Sequence, residues 1–374
     1  MALLGGVSAI AIMMPTSQPM AACAPAAGPG TPPPGTTVTC TGATGNQNGT
    51  SGYGDGSQNG LTINVQPGAA LSGQTFGINV NANNSVNNSG AISASVSHGI
   101  FAGAGTLSVT NFGTITGGGA LGTGGIDGST VNVTNQGTIS GSGGIFTNNG
   151  GSTIANSGTI SSRTNFPAII FTGQNNALTN NQAAVINGAV SSSTSSTDSI
   201  TINNAGTINS SGGAGALGTI GVTQATITNS GTITADGSNR FAILMTAGSV
   251  DNSRTITSSQ GIALQSFGGV TVTNSGIISG TTAITAGGPA NITNSGTITG
   301  TGGTAIRFAS SQPNSLTLTP TSVINGNVLG TPGSDTLSLG GTGTGSFDVS
   351  SIGGPRHSSA ISTHSPRAER PPGI

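Results

Sequence analysis

The chain has 374 residues and a formal net charge of −1, with 4% charged residues where a soluble globular protein carries roughly 25%. Its seven basic residues are all Arg, its acids are seven Asp and one Glu, and it holds 66 Gly and no Trp. So little charge leaves no field to attract nucleic acid or an anionic membrane, and so few Leu, Glu, Lys and Arg exclude a helical bundle.

Residues 1–22 form a signal-peptide-like segment. The apolar run from Ala2 to Met14 is too short to span a bilayer, and the small residues Ala21-Ala22-Cys23-Ala24 suit cleavage. The basic residues that usually precede such a run are absent, which places the expected start upstream of Met1. Residues 23–59 are a Cys/Pro-rich N-terminal cap region, in which Cys23 and Cys40 flank Pro32-Pro33-Pro34. Three fates are open to the cysteines. They close a disulfide over the first turn, worth about 3 kcal/mol for a loop of this size. Alternatively Cys23 accepts lipid, although Met20-Ala21-Ala22 lacks the usual Leu, or cleavage after Ala24 leaves Cys40 a free thiol.

Residues 60–353 repeat a motif, Asn-x-Gly-Thr-Ile. It is clearest at Asn111, Asn135, Asn156, Asn204, Asn229 and Asn294, and recognisable at Asn88, Asn252 (where Arg254 replaces Gly) and Asn274. Successive glycines lie 20 to 25 apart except for one interval of 48, which a worn copy at Asn181-Gln-Ala183-Ala-Val185 divides. Weaker copies stand at Pro67–Leu71 and Ser322–Ile324. Within a copy such as Ile227–Ile233 every second residue is aliphatic, Asn or Gly, the pattern of a strand with one face inward. A second aliphatic patch precedes each motif, as at Ile145-Phe146 and Ile243-Leu244. A unit of this size cannot bury its aliphatic face alone, so the units must stack. The expected fold is all-β: a right-handed parallel β-helix (β-solenoid) of about twelve turns, a rod near 60 Å long at roughly 4.8 Å per turn. The motif asparagines should stack into an amide ladder along its axis.

The last segment, residues 354–374, holds three of the seven Arg, two of the three His and the only Glu. Pro and Ser dominate it and no strand period survives, so a disordered tail is expected. The abrupt change near Gly353 is also what a shifted reading frame of GC-rich DNA produces, and a frameshifted tail is the accompanying expectation.

Rungs such as Ile-Thr-Asn-Ser-Gly-Thr-Ile resemble the β-helical passenger domains of bacterial autotransporters, the type V secretion family. Val323–Gly330, Gly333–Gly341 and Phe347-Asp348-Val349 resemble the end of a passenger array, and the Cys23 to Cys40 region resembles its start. The resemblance covers about residues 23–353. It implies export to the cell surface by a C-terminal outer-membrane barrel, a translocator that residues 354–374 are too few to build. A chain truncated before that barrel would stay in the periplasm.

A search for chemistry finds no catalytic set. Enzymes of this fold that cleave acidic polysaccharides gather carboxylates on one face, for calcium or for paired acid/base work. Here Asp127, Asp198, Asp236, Asp251 and Asp335 stand at five different offsets from their nearest motif, on different edges of the rod. Asp236, Arg240, Asp251 and Arg254 share a turn but read as solvated corner charges, and Arg307 should point outward. Gly333-Ser-Asp335-Thr-Leu337 resembles a single calcium nonapeptide, which needs consecutive copies that are missing. His98 stands alone in the repeat region, so no zinc set or triad forms around it. No cofactor, metal or phosphate site is expected.

The expected function is a secreted or cell-surface passenger acting as a structural stalk or adhesin. Its outward Thr, Ser and Asn rows would meet host or surface glycans or neighbouring cells. The alternative is a carbohydrate-active β-helix of polysaccharide lyase or hydrolase type. Ice binding by outward Thr228, Thr232 and Thr234 is a third option, opposed by uneven turn lengths.

Overall fold

Alternation of aliphatic and polar residues puts one set of side chains inside and the other in solvent. In the computed structural model the repeats satisfy this by stacking. They form a parallel β-solenoid of about 12 turns, with 62% strand and no helix among the described residues. Those residues are 23–163, 166–192, 198–210, 220–236, 241–331, 335–345 and 362–364. The signal-like segment 1–22, Arg240, Gly333, Ser334, Phe347–Val349 and most of the tail 354–374 lie outside them.

Each regular turn contributes three strands, so the rod has three faces. On the first, strands such as Thr153–Asn156 and Val270–Asn274 end in the motif Asn. On the second, Thr138–Gly141 pairs in parallel with Thr159–Ser162, setting Ile139 beside Ile160. On the third, Gly143–Thr147 pairs with Ile169–Phe171, setting Ile145 beside Ile169. Several long strands, including Ile100–Asn111 and Gly124–Asn135, run through the corner from the third face onto the first. Equivalent aliphatic residues therefore sit one above another, and Ile92, Ile115, Ile139, Ile160 and Ile233 are fully buried members of one such column.

The corner between the first and second faces carries the amide ladder. Ten asparagines, from Asn88 to Asn294, are joined by nine Nδ2 to Oδ1 hydrogen bonds of 2.7–2.9 Å. Each interior amide also donates to backbone: Asn229 Nδ2 reaches Gly231 O at 3.1 Å and Thr255 O at 3.0 Å. Such complete satisfaction is what permits buried amides at all. Val65 and Leu318 occupy the ladder position just beyond its two ends.

The motif glycine is required by this corner, though not for a left-handed backbone. A Cβ on Gly113 would lie 1.9 Å from Gly90 O, and one on Gly231 would lie 2.1 Å from Gly206 O. The worn copy is shifted by one residue from its sequence-based placement. Asn180, not Asn181, joins the ladder, and Ile186, not Val185, takes the inward position. Two extra residues fill that corner, where Ala183 adopts a positive φ of 65°. The weak copy at Pro67–Leu71 has the same longer corner, with Gly68 at φ 77°.

At the N-terminal end Cys23–Ala24 pairs antiparallel with Thr37–Cys40, and the sulfurs of Cys23 and Cys40 are bonded. Thr37–Cys40 pairs in parallel with Thr62–Val65 on its other side, so the Cys23 strand covers the free edge of the first turn. Gln47 fastens it, its amide donating to Cys23 O and accepting from Cys23 N, both at 2.9 Å. Within the segment read as an unstructured tail, Ser362–His364 pairs in parallel with Thr336–Ser338.

Candidate functional surface

Parallel register turns each outward residue into a row. On the first face Thr110, Thr134, Thr179, Thr228, Thr273 and Thr293 share one row, interrupted by Ala155, Asn203 and Asp251. A parallel row two residues earlier holds Ser108, Asn132, Thr153, Thr201, Thr226 and Thr271. Between the rows runs a shallow groove lined by Ser, Thr and Asn side chains, by Ala155 and Ala177, and by Val109, Val133 and Ile154. Differences in turn length do not disturb these rows, because the corners absorb the extra residues. The objection that uneven turns spoil a regular array therefore falls for this face, whereas its Ala, Asn and Asp members do interrupt it.

The third face carries a different feature. Phe101, Asp127, Phe146 and Ile170 form its outward row. Phe76 and His98 sit one turn apart at the adjoining corner and stack with ring centroids 6.2 Å apart and planes within 8°. Phe101 folds over both, 5.2 Å from Phe76 and 5.7 Å from His98. Phe146 meets His98 edge-on and Phe166 meets Phe146 likewise. Gly124 and Gly143 make room for Phe146, since a Cβ on Gly143 would lie 2.4 Å from its ring. The rings are turned on one another, which stabilises each pair by about 0.5–1.5 kcal/mol beyond area burial.

Inside this cluster His98 is not alone. Its Nε2 lies 3.3 Å from Asp127 Oδ2, and Asp127 Oδ1 accepts from Asn148 Nδ2 at 2.7 Å. His98 Nδ1 accepts from Gly124 N at 2.9 Å. Burial pushes the imidazole below its ordinary 6.5, opposed by the Asp127 charge. Burial also lifts the Asp127 carboxyl above 3.8, opposed by His98 and the Asn148 bond. The pair resembles two members of a nucleophilic triad, but a catalytic imidazole needs its second nitrogen on a nucleophile. Here that nitrogen is on a backbone N–H. Sequence reasoning missed the pairing, because the partners are 29 residues apart and sit on adjacent turns. A signal existed in the clustering of Phe76, Phe101, Phe146 and Phe166 near the only His of the repeat region.

The remaining carboxylates divide by burial. Asp198 and Asp335 are buried, both at the start of first-face strands. Asp198 Oδ1 accepts from Gly173 N at 3.0 Å, and Asp335 Oδ1 accepts from Asn314 Nδ2 at 2.9 Å. With Asn84, Ser152, Asn176 and Asn314 they make a second, incomplete series of capping side chains at that corner. Asp236, Asp251 and Arg254 are exposed, and Arg307 points outward between buried Ile306 and Phe308. Among the described residues His98–Asp127 is the one ion-pair contact, and no group of three metal-ligating side chains occurs. Compared with protein-family models, with curated proteins and with solved structures, the chain matches none.

Proposed function

We propose that the chain is the passenger-like rod of a secreted or cell-surface protein, acting as a stiff stalk or adhesin. The observation that supports this reading most is the unshifted register of the Thr, Ser and Asn rows, broken by one charge at Asp251, over successive turns of the first face. A surface of repeated hydroxyls and amides suits neutral, hydroxyl-rich partners, because it offers paired donors and acceptors without a charge to desolvate. The buried amide ladder supplies the stiffness that a stalk requires. The resemblance to autotransporter passengers supports an extracellular or outer-membrane location and export through a translocator.

A glycan array probed with the folded rod tests the adhesin role, with chromatography of the incubated glycans alongside. Binding without turnover is expected, lost when Thr134 and Thr179 are replaced by Lys. Product formation would instead establish the carbohydrate-active alternative. Absence of binding to every neutral glycan would leave the stalk role without the adhesive one.

A further inference from the structure

The surroundings of His98 fix its protonation state. Nδ1 accepts the Gly124 N–H, so that nitrogen carries no proton, and the ring's one proton lies on Nε2 toward Asp127. A second proton could only go to Nδ1, where it would face the Gly124 N–H. Two donors would then oppose each other, and the bond would be lost. Tautomer exchange gives no escape, since Nε2 is already protonated. Asp127 is the sole charged or titratable group facing the ring from the strands at Phe76–Val80, Gly124–Asn135 and Gly143–Thr147 and from segment 117–123.

Gly124 ends a segment whose middle, residues 119–122, has no hydrogen bond to another turn among the described residues. The hydrogen bonds of residues 119–122 stay within the segment, as when the Thr123 N–H and hydroxyl both turn to Ala120 O. Its anchors are at the ends: Gly117 N to Ser140 O, Gly118 N to Ser97 O and Ser142 N to Gly118 O at one, and Gly143 N to Thr123 O, Gly99 N to Gly124 O and Gly124 N to His98 at the other. Leu121 at its tip is 79% exposed, and the Phe146 ring lies against Gly124.

We propose that the His98–Gly124 contact is an acid-sensitive latch that seats the C-terminal end of the loop 119–124 on the rod. At neutral pH the imidazole is neutral and the latch is closed. In mild acid the imidazole takes a proton, Gly124 N–H loses its acceptor, and the loop between Gly118 and Gly124 loosens against the edge of Phe146. The rest of the solenoid keeps its register, because each turn bonds chiefly to its immediate neighbours. The device is independent of the stalk or adhesin role.

Hydrogen exchange of the whole chain at about pH 7.5 and about pH 5, normalised to intrinsic rates, tests this in the range where a histidine titrates. Protection of the Thr123 and Gly124 amides should fall by about tenfold in acid, while Asn229–Ile233 stays unchanged as an internal control. In His98→Gln the amide can accept from Gly124 and donate to Asp127 without titrating, so protection should be equal at both pH values. Unchanged protection in the wild type would overturn the latch, as would an equal acid loss in His98→Gln. If His98→Gln fails to fold, an NMR titration of the wild type decides. The Gly124 amide and the His98 ring must titrate together, and independent titration rejects the proposal.

Discussion

At Gly231 a single methyl group decides the corner. Its Cβ would stand 2.1 Å from the carbonyl oxygen of Gly206, which is backbone and cannot swing aside. Gly231→Ala should therefore cost about 1–3 kcal/mol, as overpacking does, read as a lower urea midpoint. Arg254 shows how the chain tolerates the same insult once. The following amide, Thr255 N to Gly231 O, is stretched to 3.1 Å, where Thr232 N to Gly206 O is 2.8 Å. Arg254→Gly should be nearly neutral, because relief of that crowding offsets roughly 0.5–1 kcal/mol of backbone entropy. Equal losses in the two variants would show that sterics do not govern this position. The ladder predicts a second gradient. Asn204→Ala deprives two neighbours, Asn180 and Asn229, whereas Asn294→Ala deprives Asn274 alone. With each unsatisfied buried group costing about 1–3 kcal/mol, the interior variant should lose about twice as much.

Strands and corners differ in how far they could be read in advance. Period two and the recurrence of Ile near positions 115, 139, 160 and 233 carry the inward columns, because burial acts on every copy in the same way. The ladder was legible for the same reason. Corner length was not: Asn180 and Asn181 are chemically identical, and only pairing of Ile186 with Ile160 selects the first. The His98 cluster was also hidden, since it depends on which outward side chains lie one turn apart, a quantity set by those corners. Its electrostatics give a testable pH profile. As pH falls from 6.5, the unfolded chain takes up a proton before the folded His98, whose affinity burial lowers, so stability declines. Asp127 acts in the opposite sense. Its folded carboxyl binds a proton above 3.8, before the unfolded one does, so stability recovers as pH falls through that window. Urea midpoints across this range should show a dip, and His98→Gln should abolish its upper limb. A monotonic decline in the wild type would contradict the paired burial of the two groups.

For the whole molecule, stacking makes each turn's backbone bonds depend on the turns beside it, so cutting inside the rod requires several strands to open together. Trypsin offers a direct test, because the chain has no Lys and cleavage is restricted to Arg. Arg163 donates its N–H to Gly141 O, the carbonyl of Arg254 accepts from Ile277 N, and Arg307 is paired to Thr285 on one side and Leu329 on the other. None of the three can adopt the conformation of a protease substrate without breaking bonds to a neighbouring turn. Arg356 and Arg367 lie in the Pro- and Ser-rich segment 354–374, and Arg370 is followed by Pro371, which resists cleavage. Digestion should therefore trim the chain near Arg356 and Arg367 and leave a fragment in which Arg163, Arg254 and Arg307 are uncut. That fragment should persist until denaturant or heat opens the turns, after which Arg163, Arg254 and Arg307 should be cut together. The joint appearance matters more than the resistance. Successive release, with Arg307 cut well before Arg163, would mean that the rod unravels from its C-terminal end, turn by turn. In that case the column of isoleucines and the amide ladder would be holding neighbours in place without coupling the ends, and stiffness over the full length would not follow from them.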